Sequence, residues 1–449
     1  MTHAEIAAKL QARWPEHRVA PSLARIRALC ELLGGPQRSC PVIQVAGTNG
    51  KGSTAIMVES LLRALNLRVG RFSSPHLVDV TERIAIDGEP MSPGAFDELV
   101  ADVLPLVELV DGRALELDAA GEPIPMTFFE VMTGLAYEAF AQAPVDVAVV
   151  EVGLGGAWDA TSVADAQVAA ICPIAFDHTH ILGGTLEQIA AEKAGVIKPG
   201  AVAVLAAQEP AAAQVLLGRC AEVGAKALLD GPDFGLLDRA PAVGGQVIRL
   251  NTAEGPLGDI FLPLFGEHMA HNAALALAAA EAFLGGRALP AAAVAEGFEQ
   301  VRAPARMEVV RRSPTIVLDT CHNPAGAQAT MNAMREAFDF DPLIGVIAMM
   351  ADKDVDGVLA QFAGQMSQVV CTAVPGTDRA LEPAILAQRA ASHFEPGMVA
   401  TAADIVAALE MAVAKADEAG AGAGIIVCGS VYLAGQARSL GLSSDRRPG

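Results

Sequence analysis

Apolar residues fall into two alternating rhythms along this chain. Short continuous apolar runs at residues 41–45, 68–72, 145–151, 168–174 and 201–205 read as buried strands. Residues 55–63 and 186–196 repeat their apolar positions at helical spacing. Within the first 40 residues, Leu23, Ile26, Leu29, Leu32 and Leu33 are expected on one helical face. Strands alternating with helices in this way predict a parallel sheet covered on both faces. Residues 230–265 break the rhythm. Their Gly, Pro and alternating polarity predict short antiparallel strands, and a helix over residues 271–283 follows. After Val301-Arg302-Ala303-Pro304-Ala305-Arg306 a second series begins. Its strands are expected at 315–319, 343–349, 369–372 and 424–428, with helices at 324–338, 354–366 and 402–417. The Ala/Gly-rich patch 419–424 reads as a loop and the tail 443–449 as frayed.

The first strand runs into Val45-Ala46-Gly47-Thr48-Asn49-Gly50-Lys51-Gly52-Ser53-Thr54, and a helix starts there. Strand, glycine loop and helix form the layout of a phosphate-binding loop. Gly47, Gly50 and Gly52 permit a tight turn that aims backbone N–H groups at an anion. The helix N-terminus adds about half a positive charge. Lys51 reaches outer phosphates, and Ser53 or Thr54 holds magnesium. In the common loop of this type lysine directly precedes the hydroxyl residue; here Gly52 intervenes. The fold class is therefore α/β: a P-loop nucleotide-binding domain with a mostly parallel sheet, residues 1–300, plus a smaller Rossmann-like α/β domain, residues 301–449.

Composition narrows the field. With 31 basic against 52 acidic residues the formal charge is −21, which argues against nucleic acid or an anionic membrane as partner. The seven cysteines are dispersed without metal-ligand spacing, so reduced thiols in a cytoplasm are expected. No run has the shape of a signal peptide or a membrane span.

Several strands end in chemistry-bearing residues, on the side where ligands gather in parallel sheets. Glu151 ends one and is followed by Gly153, Gly155 and Gly156; an acid in that place commonly holds magnesium on a nucleotide. Asp177-His178-Thr179-His180 follows the next, and His178 is a metal ligand or a base. Thr127 reads as a helix N-cap before Phe128, Phe129 and Glu130. Asp319-Thr320-Cys321-His322-Asn323-Pro324 repeats the logic in the second domain, with Cys321 as a packing residue.

Together these runs resemble the folylpolyglutamate synthase/dihydrofolate synthase family, a branch of the Mur ligases. The ordered set extends through Ser73-Ser74-Pro75-His76, Thr81-Glu82-Arg83-Ile84, Asp159-Ala160-Thr161, Glu192-Lys193-Ala194-Gly195, His271-Asn272, Arg306 and Asp352-Lys353-Asp354. The Lys-Gly-Ser spacing belongs to the same pattern. The resemblance implies a cytoplasmic, monomeric ligase that joins L-glutamate to a folate, and to dihydropteroate, through an acyl phosphate formed from ATP. It implies that Thr48, Asn49, Gly50, Lys51, Gly52, Ser53 and Thr54 cradle the ATP phosphates, with Asn272, Arg306 and Asp319 as further ATP contacts, so that the second domain closes over the nucleotide. It implies two magnesium ions, with Ser53, Ser74, Glu151 and His178 as ligands. Lys193 matches a lysine that becomes carbamylated, and His322 a histidine at the domain cleft; Lys51, Lys193, His322 and Asp319 are the expected catalytic residues. Phe128, Phe129, Glu130, Trp158, Asp159 and Ala160 match segments lining the pterin site. Three departures stand out: Ala157-Trp158 before Asp159-Ala160-Thr161-Ser162, His180 in place of an acid, and Ala20-Pro21-Ser22-Leu23 where some members carry a dihydropteroate-binding segment. Folate is accordingly expected ahead of dihydropteroate as substrate. A Mur-type ligase acting on another carboxylate, such as a cell-wall precursor, and a phosphate-loop ATPase that ignores glutamate are the alternatives.

Overall fold

The computed structural model describes residues 1–14, 21–113, 124–374, 377 and 379–441. The expectations for Ala20 and for the tail 443–449 lie outside them. The described chain divides into two units. The first comprises Met1–Asp238, Ile248–Phe261 and Ala270–Val301, the second Arg239–Val247, Leu262–Met269 and Arg302–Gly449.

The first unit is built on eight strands: β1 (Val42–Ala46), β2 (Val69–Phe72), β3 (Ile84–Ile86), β4 (Glu89–Pro90), β5 (Val147–Glu151), β6 (Val168–Ile171), β7 (Val202–Leu205) and β8 (Lys226–Leu229). They lie in the order β4-β3-β2-β5-β1-β6-β7-β8. Strands β2, β5, β1, β6, β7 and β8 run parallel to one another, and β3 and β4 add an antiparallel edge beside β2. All five residues of β1 are buried, as a central parallel strand requires. Val45 lies opposite Glu151 across β1 and β5, so the loop after β1 and the carboxylate ending β5 emerge side by side.

Helices Ala24–Leu32, Pro93–Asp111 and Phe128–Gln142 share one core, and Leu186–Ala194 and Pro210–Val223 share another. Leu32 departs from the expected apolar face and is exposed. Ile26, Leu29 and Leu33 are spaced three and four apart and share a face, while Leu32 points off it. Among the described residues no helix is long and apolar enough to cross a membrane.

The irregular stretch forms β9 (Gly235–Ala242), β10 (Gly245–Thr252) and β11 (Gly255–Leu262), ordered β11-β10-β9. Their connections are too short for a parallel crossover, so each pair is a hairpin. Residues 239–247 and 262–269, expected in the first domain, group with the second unit. There the Gln246 amide donates to the carbonyls of Leu264 and Gly266 at 3.0 and 2.8 Å, and Arg239 pairs with Glu336 at 2.6 Å.

The second unit carries β12 (Arg306–Arg312), β13 (Thr315–Asp319), β14 (Leu343–Ile347), β15 (Gln368–Cys371), β16 (Val399–Thr401) and β17 (Gly424–Cys428) in the order β12-β13-β17-β14-β15-β16. Only the β12–β13 pairing is antiparallel. Here the helix expected over 354–366 stops at Phe362, two residues before Gly364 turns left-handed at φ 76°.

Candidate active site

The loop after β1 is shaped by two glycines that no other residue replaces without strain. Gly47 has φ 134°, and a Cβ there would lie 2.9 Å from the Cys172 carbonyl oxygen. Gly50 has φ 90°, and a Cβ would meet the Asn272 amide oxygen at 2.7 Å, so Asn272 covers the loop within the first unit. Thr48 fastens the crest. Its N–H donates to the Pro173 carbonyl at 3.0 Å, and its hydroxyl bonds both the N–H and the carbonyl of Ala175 at 3.0 and 3.1 Å. Asn49 is half-buried beside it. Lys51, the first residue of the helix Lys51–Arg63, donates Nζ to the Thr48 carbonyl at 3.1 Å.

The structure separates the two hydroxyls on the first helical turn. Thr54 Oγ1 accepts from the Cys172 thiol at 3.4 Å. The Ser53 hydroxyl is buried and has no hydrogen-bond partner. An orphaned buried hydroxyl is costly unless a ligand completes it. A Cβ at the intervening Gly52 would sit 3.4 Å from Glu151 Oε2, in ordinary van der Waals contact, so the loop runs directly against that carboxylate.

Glu151 is buried and accepts the Ser74 N–H at 3.1 Å, which brings these two candidate ligands together. His178 is half-buried with φ 50°, and its N–H donates to Asp177 Oδ1 at 2.8 Å. Among the described residues no three His, Cys, Asp or Glu side chains form a metal cage. A magnesium ion that takes most of its oxygens from phosphates and water needs only one or two protein ligands. A serine hydroxyl and a carboxylate suit that need.

Lys193 is buried, and its Nζ donates to the Gly47 carbonyl at 2.7 Å. Burial, aided by the charge of Lys51, lowers its ammonium from the ordinary lysine value to about 7. The residue at the end of a helix is therefore a largely neutral amine just above neutral pH, set against the phosphate loop.

The candidate pterin segments are more deeply committed to the fold. Glu130 completes a capping box with Thr127 and pairs with the buried Arg25, whose Nε lies 3.1 Å from both carboxylate oxygens. Burial still raises its carboxyl above the usual range. Asp159 accepts the N–H groups of Gly153, Leu154 and Thr161 at 3.1, 3.0 and 3.0 Å, and burial raises it likewise. These bonds hold the turn after β5, and Gln44 of β1 joins the network by donating to Thr161 Oγ1 at 2.8 Å. Ala160 is core. Phe128 is buried under the Arg83 guanidinium, 4.8 Å from the ring centroid. Phe129 and Trp158 are half-buried, Phe129 against Gly153 and Trp158 against Gly155. These two aromatic rings are the better placed to meet a ligand.

In the second unit Asp319 ends β13. Its carboxylate accepts from Met307 N–H at 3.0 Å, Cys321 N–H at 2.8 Å and the Thr330 hydroxyl at 2.9 Å. Arg306 lies opposite it in the β12–β13 register. His322 Nδ1 donates to the Thr320 carbonyl at 2.9 Å, and Asn323 caps the helix Pro324–Ala337. Contact with the Cys428 thiol, together with burial, pushes the Cys321 thiol well up, which keeps it an inert packing group. Arg25 and Gln44 support the site without belonging to any motif. For Gln44 the one available signal is a glutamine inside an otherwise apolar strand; for Arg25 there is none.

A parallel sheet with a phosphate loop beside a strand-ending carboxylate is the layout of a nucleotide-binding enzyme, and the family models place it among the Mur-type ligases. The Mur ligase middle domain matches residues 122–280, and the Mur ligase glutamate ligase domain matches residues 305–431. A Mycobacterium tuberculosis dihydrofolate synthase/folylpolyglutamate synthase is 46% identical over 97% of this chain and 94% of its own. The Mycobacterium tuberculosis folylpolyglutamate synthase complexed with ADP superposes with a TM-score of 0.93 at 45% identity, covering 100% of this chain and 99% of that one. An Escherichia coli FolC in complex with DHPP and ADP gives 0.83 at 29% identity, covering 98% and 97%. The chain belongs to the folylpolyglutamate synthase/dihydrofolate synthase family.

Proposed function

We propose that this chain joins the amine of L-glutamate to the terminal carboxylate of a folate, and to that of dihydropteroate, with ATP converted to ADP and phosphate. The substrate carboxylate attacks the γ-phosphate and gives an acyl phosphate. The glutamate amine then attacks the activated carbonyl, and phosphate leaves as the amide forms. Little side-chain chemistry is required; alignment and charge neutralisation supply most of the acceleration. Lys51 and the N–H groups of residues 50–53 would meet the phosphates, the Thr48 and Thr54 N–H groups being bonded to the Pro173 and Gly50 carbonyls. Ser53 and Glu151, with Ser74 and His178 in their loops, would hold magnesium, which when bound neutralises phosphate charge. Lys193, as its carbamate, would offer an anion to a second cation. Asn272 covers the loop, and Arg306, Asp319 and His322 are the residues assigned to the second unit. Phe129 and Trp158 flank the glycine turn after β5 and offer apolar faces to the pterin.

The observation that carries this reading is the buried, unpartnered Ser53 hydroxyl of the phosphate loop, next in chain to Gly52, whose backbone lies against Glu151. The likeness to dihydrofolate synthase/folylpolyglutamate synthase supports the substrates. The test incubates the purified chain with magnesium, ATP and labelled glutamate, together with tetrahydrofolate or dihydropteroate. Label should enter both acceptors, with one ADP released per amide. ATP hydrolysis indifferent to glutamate and to either acceptor would overturn the reading.

A further inference from the structure

The loop carrying Ser74 is gripped at both ends by a single residue. The Arg83 carbonyl accepts the Ser73 N–H at 3.0 Å, and Arg83 Nε donates to His76 Nδ1 at 2.9 Å. Between those anchors the Ser74 N–H meets Glu151. The Arg83 guanidinium also covers Phe128, the first residue of the helix Phe128–Gln142. Next to it, Glu82 accepts the N–H groups of Leu77, Val78 and Asp79 at 2.8, 3.2 and 3.1 Å, which fixes the chain leaving the loop.

Arg83 is 2% exposed. Holding a guanidinium inside a protein costs several kcal/mol of lost hydration, roughly, before its contacts are counted. The fold retains it where it joins the nearby loop 73–76 to Phe128, much further along the chain. Because His76 Nδ1 accepts, that imidazole is neutral with its proton on Nε2. Lysine cannot reproduce the arrangement: its single nitrogen lacks a planar group that covers a ring while donating sideways to an imidazole.

We infer that Arg83 is a positioning residue for the ligase reaction, holding the Ser74 loop against Glu151 and tying it to the helix that begins at Phe128. The inference rests on the reading of Ser74 and Glu151 as part of a magnesium–ATP site. A loop released at its His76 end shifts relative to Glu151, and a displacement of about 1 Å costs about a hundredfold in rate.

Arg83→Met keeps an apolar stem over Phe128 and removes the donor. Its kcat should fall about a hundredfold. The magnesium concentration that half-saturates binding of a non-hydrolysable ATP analogue, read by calorimetry, should rise, while KM for folate changes less. His76→Gln keeps an acceptor for Arg83 and should retain far more activity and magnesium affinity than His76→Leu. Arg83→Met combined with His76→Leu should be no worse than the poorer single variant, because one contact is removed either way. Wild-type magnesium dependence in Arg83→Met, or losses that vanish when corrected for folded fraction, would overturn the inference. If Arg83→Met does not fold, equal defects in the two His76 variants overturn it. The magnesium–nucleotide readout needs no turnover, so a wild-type enzyme that fails to ligate glutamate would sink the functional reading and leave this contact tested on its own.

Discussion

Lys193 offers the sharpest quantitative test. The structure buries its amine beside the phosphate loop and lowers it from 10.5 to about 7. At pH 8 such an amine is roughly 90% neutral, against about 0.3% for an ordinary lysine. Only the neutral form adds carbon dioxide, so a carbamate should form at Lys193 before any other lysine. Protein equilibrated with ¹³C-bicarbonate at pH 8 should show a side-chain carbamate resonance by NMR that is absent from Lys193→Met. The same shift has a thermodynamic side. Between about pH 7 and 10.5 the unfolded chain keeps a proton that the folded chain has lost, so stability rises with pH. The slope is about 0.7 kcal/mol per unit at pH 7 and approaches about 1.4 kcal/mol per unit above it, which sums to about 2.3 kcal/mol from pH 7 to pH 9. Both tryptophans, Trp14 and Trp158, lie in the first unit, so their fluorescence follows the unfolding of the unit that holds Lys193. Urea titrations without carbon dioxide should show wild type gaining that stability relative to Lys193→Met. A gap that stays flat or shrinks as pH rises, or no carbamate resonance at pH 8, would refute a buried neutral amine.

Three further outcomes follow from single contacts. Lys51→Ala should lower turnover by about a hundredfold or more while leaving the melting temperature nearly unchanged, since its bond to the Thr48 carbonyl is a minor tether; near-normal ligase activity would remove Lys51 from the phosphate site. Asp159→Asn replaces an anion that gathers three backbone N–H groups and should cost about 1.5–3 kcal/mol of stability, measured by urea unfolding on tryptophan fluorescence; an unchanged midpoint would show that the turn after β5 holds itself. His3 bonds Asp97 at 2.7 Å and Asp79 at 3.3 Å, which raise its pKa above 6.5, so its hold on the first helix is complete below pH 6.5 and is lost as pH rises through the raised value; amide protection in His3–Gln11, after correction for the intrinsic pH dependence of exchange, should fall across that window in wild type and stay flat in His3→Gln.

The strands of both sheets and the phosphate loop are legible in the sequence because their signals are local. A buried parallel strand is an unbroken apolar run, and a lysine-bearing glycine loop set between such a run and a helix points to phosphate. Less is legible where the signal depends on partners distant in sequence. Residues 239–247 read as part of the first domain, yet Arg239 and Gln246 find their partners in the second unit. Leu32 fits a helical stripe by spacing, but the helix Ala24–Leu32 turns it outward as it ends. The two hydroxyls after Lys51 are indistinguishable in sequence. Only the packing of Cys172 against Thr54 leaves Ser53 as the one without a partner.

The acids show why site residues are harder to read than folds. A carboxylate at a strand end reads as a ligand-binding group, and for Glu151 the neighbouring Gly52 and Ser53 fit that use. Asp159, Glu130, Glu82 and Asp319 lie in equally suggestive runs, yet each accepts backbone N–H groups of its own loop or helix start. The physical reason is common to all four. Tight turns and helix starts leave N–H groups pointing inward with no ladder partner, and an anion satisfies one to three of them at once. The same turns are where ligands bind, so scaffold acids and ligand acids concentrate in the same short segments. What separates them is the use each acid is put to: the four tie down their own turns, whereas Glu151 faces Gly52, next in chain to the orphaned Ser53 hydroxyl. That points mutagenesis at Glu151 first: Glu151→Gln should weaken magnesium–nucleotide binding with little effect on stability, whereas Asp319→Asn should disturb the fold around β13 before it disturbs any ligand. If Asp319→Asn kept its melting temperature and lost only nucleotide affinity, bonds to an acid's own turn would be the wrong criterion for telling scaffold acids from ligand acids.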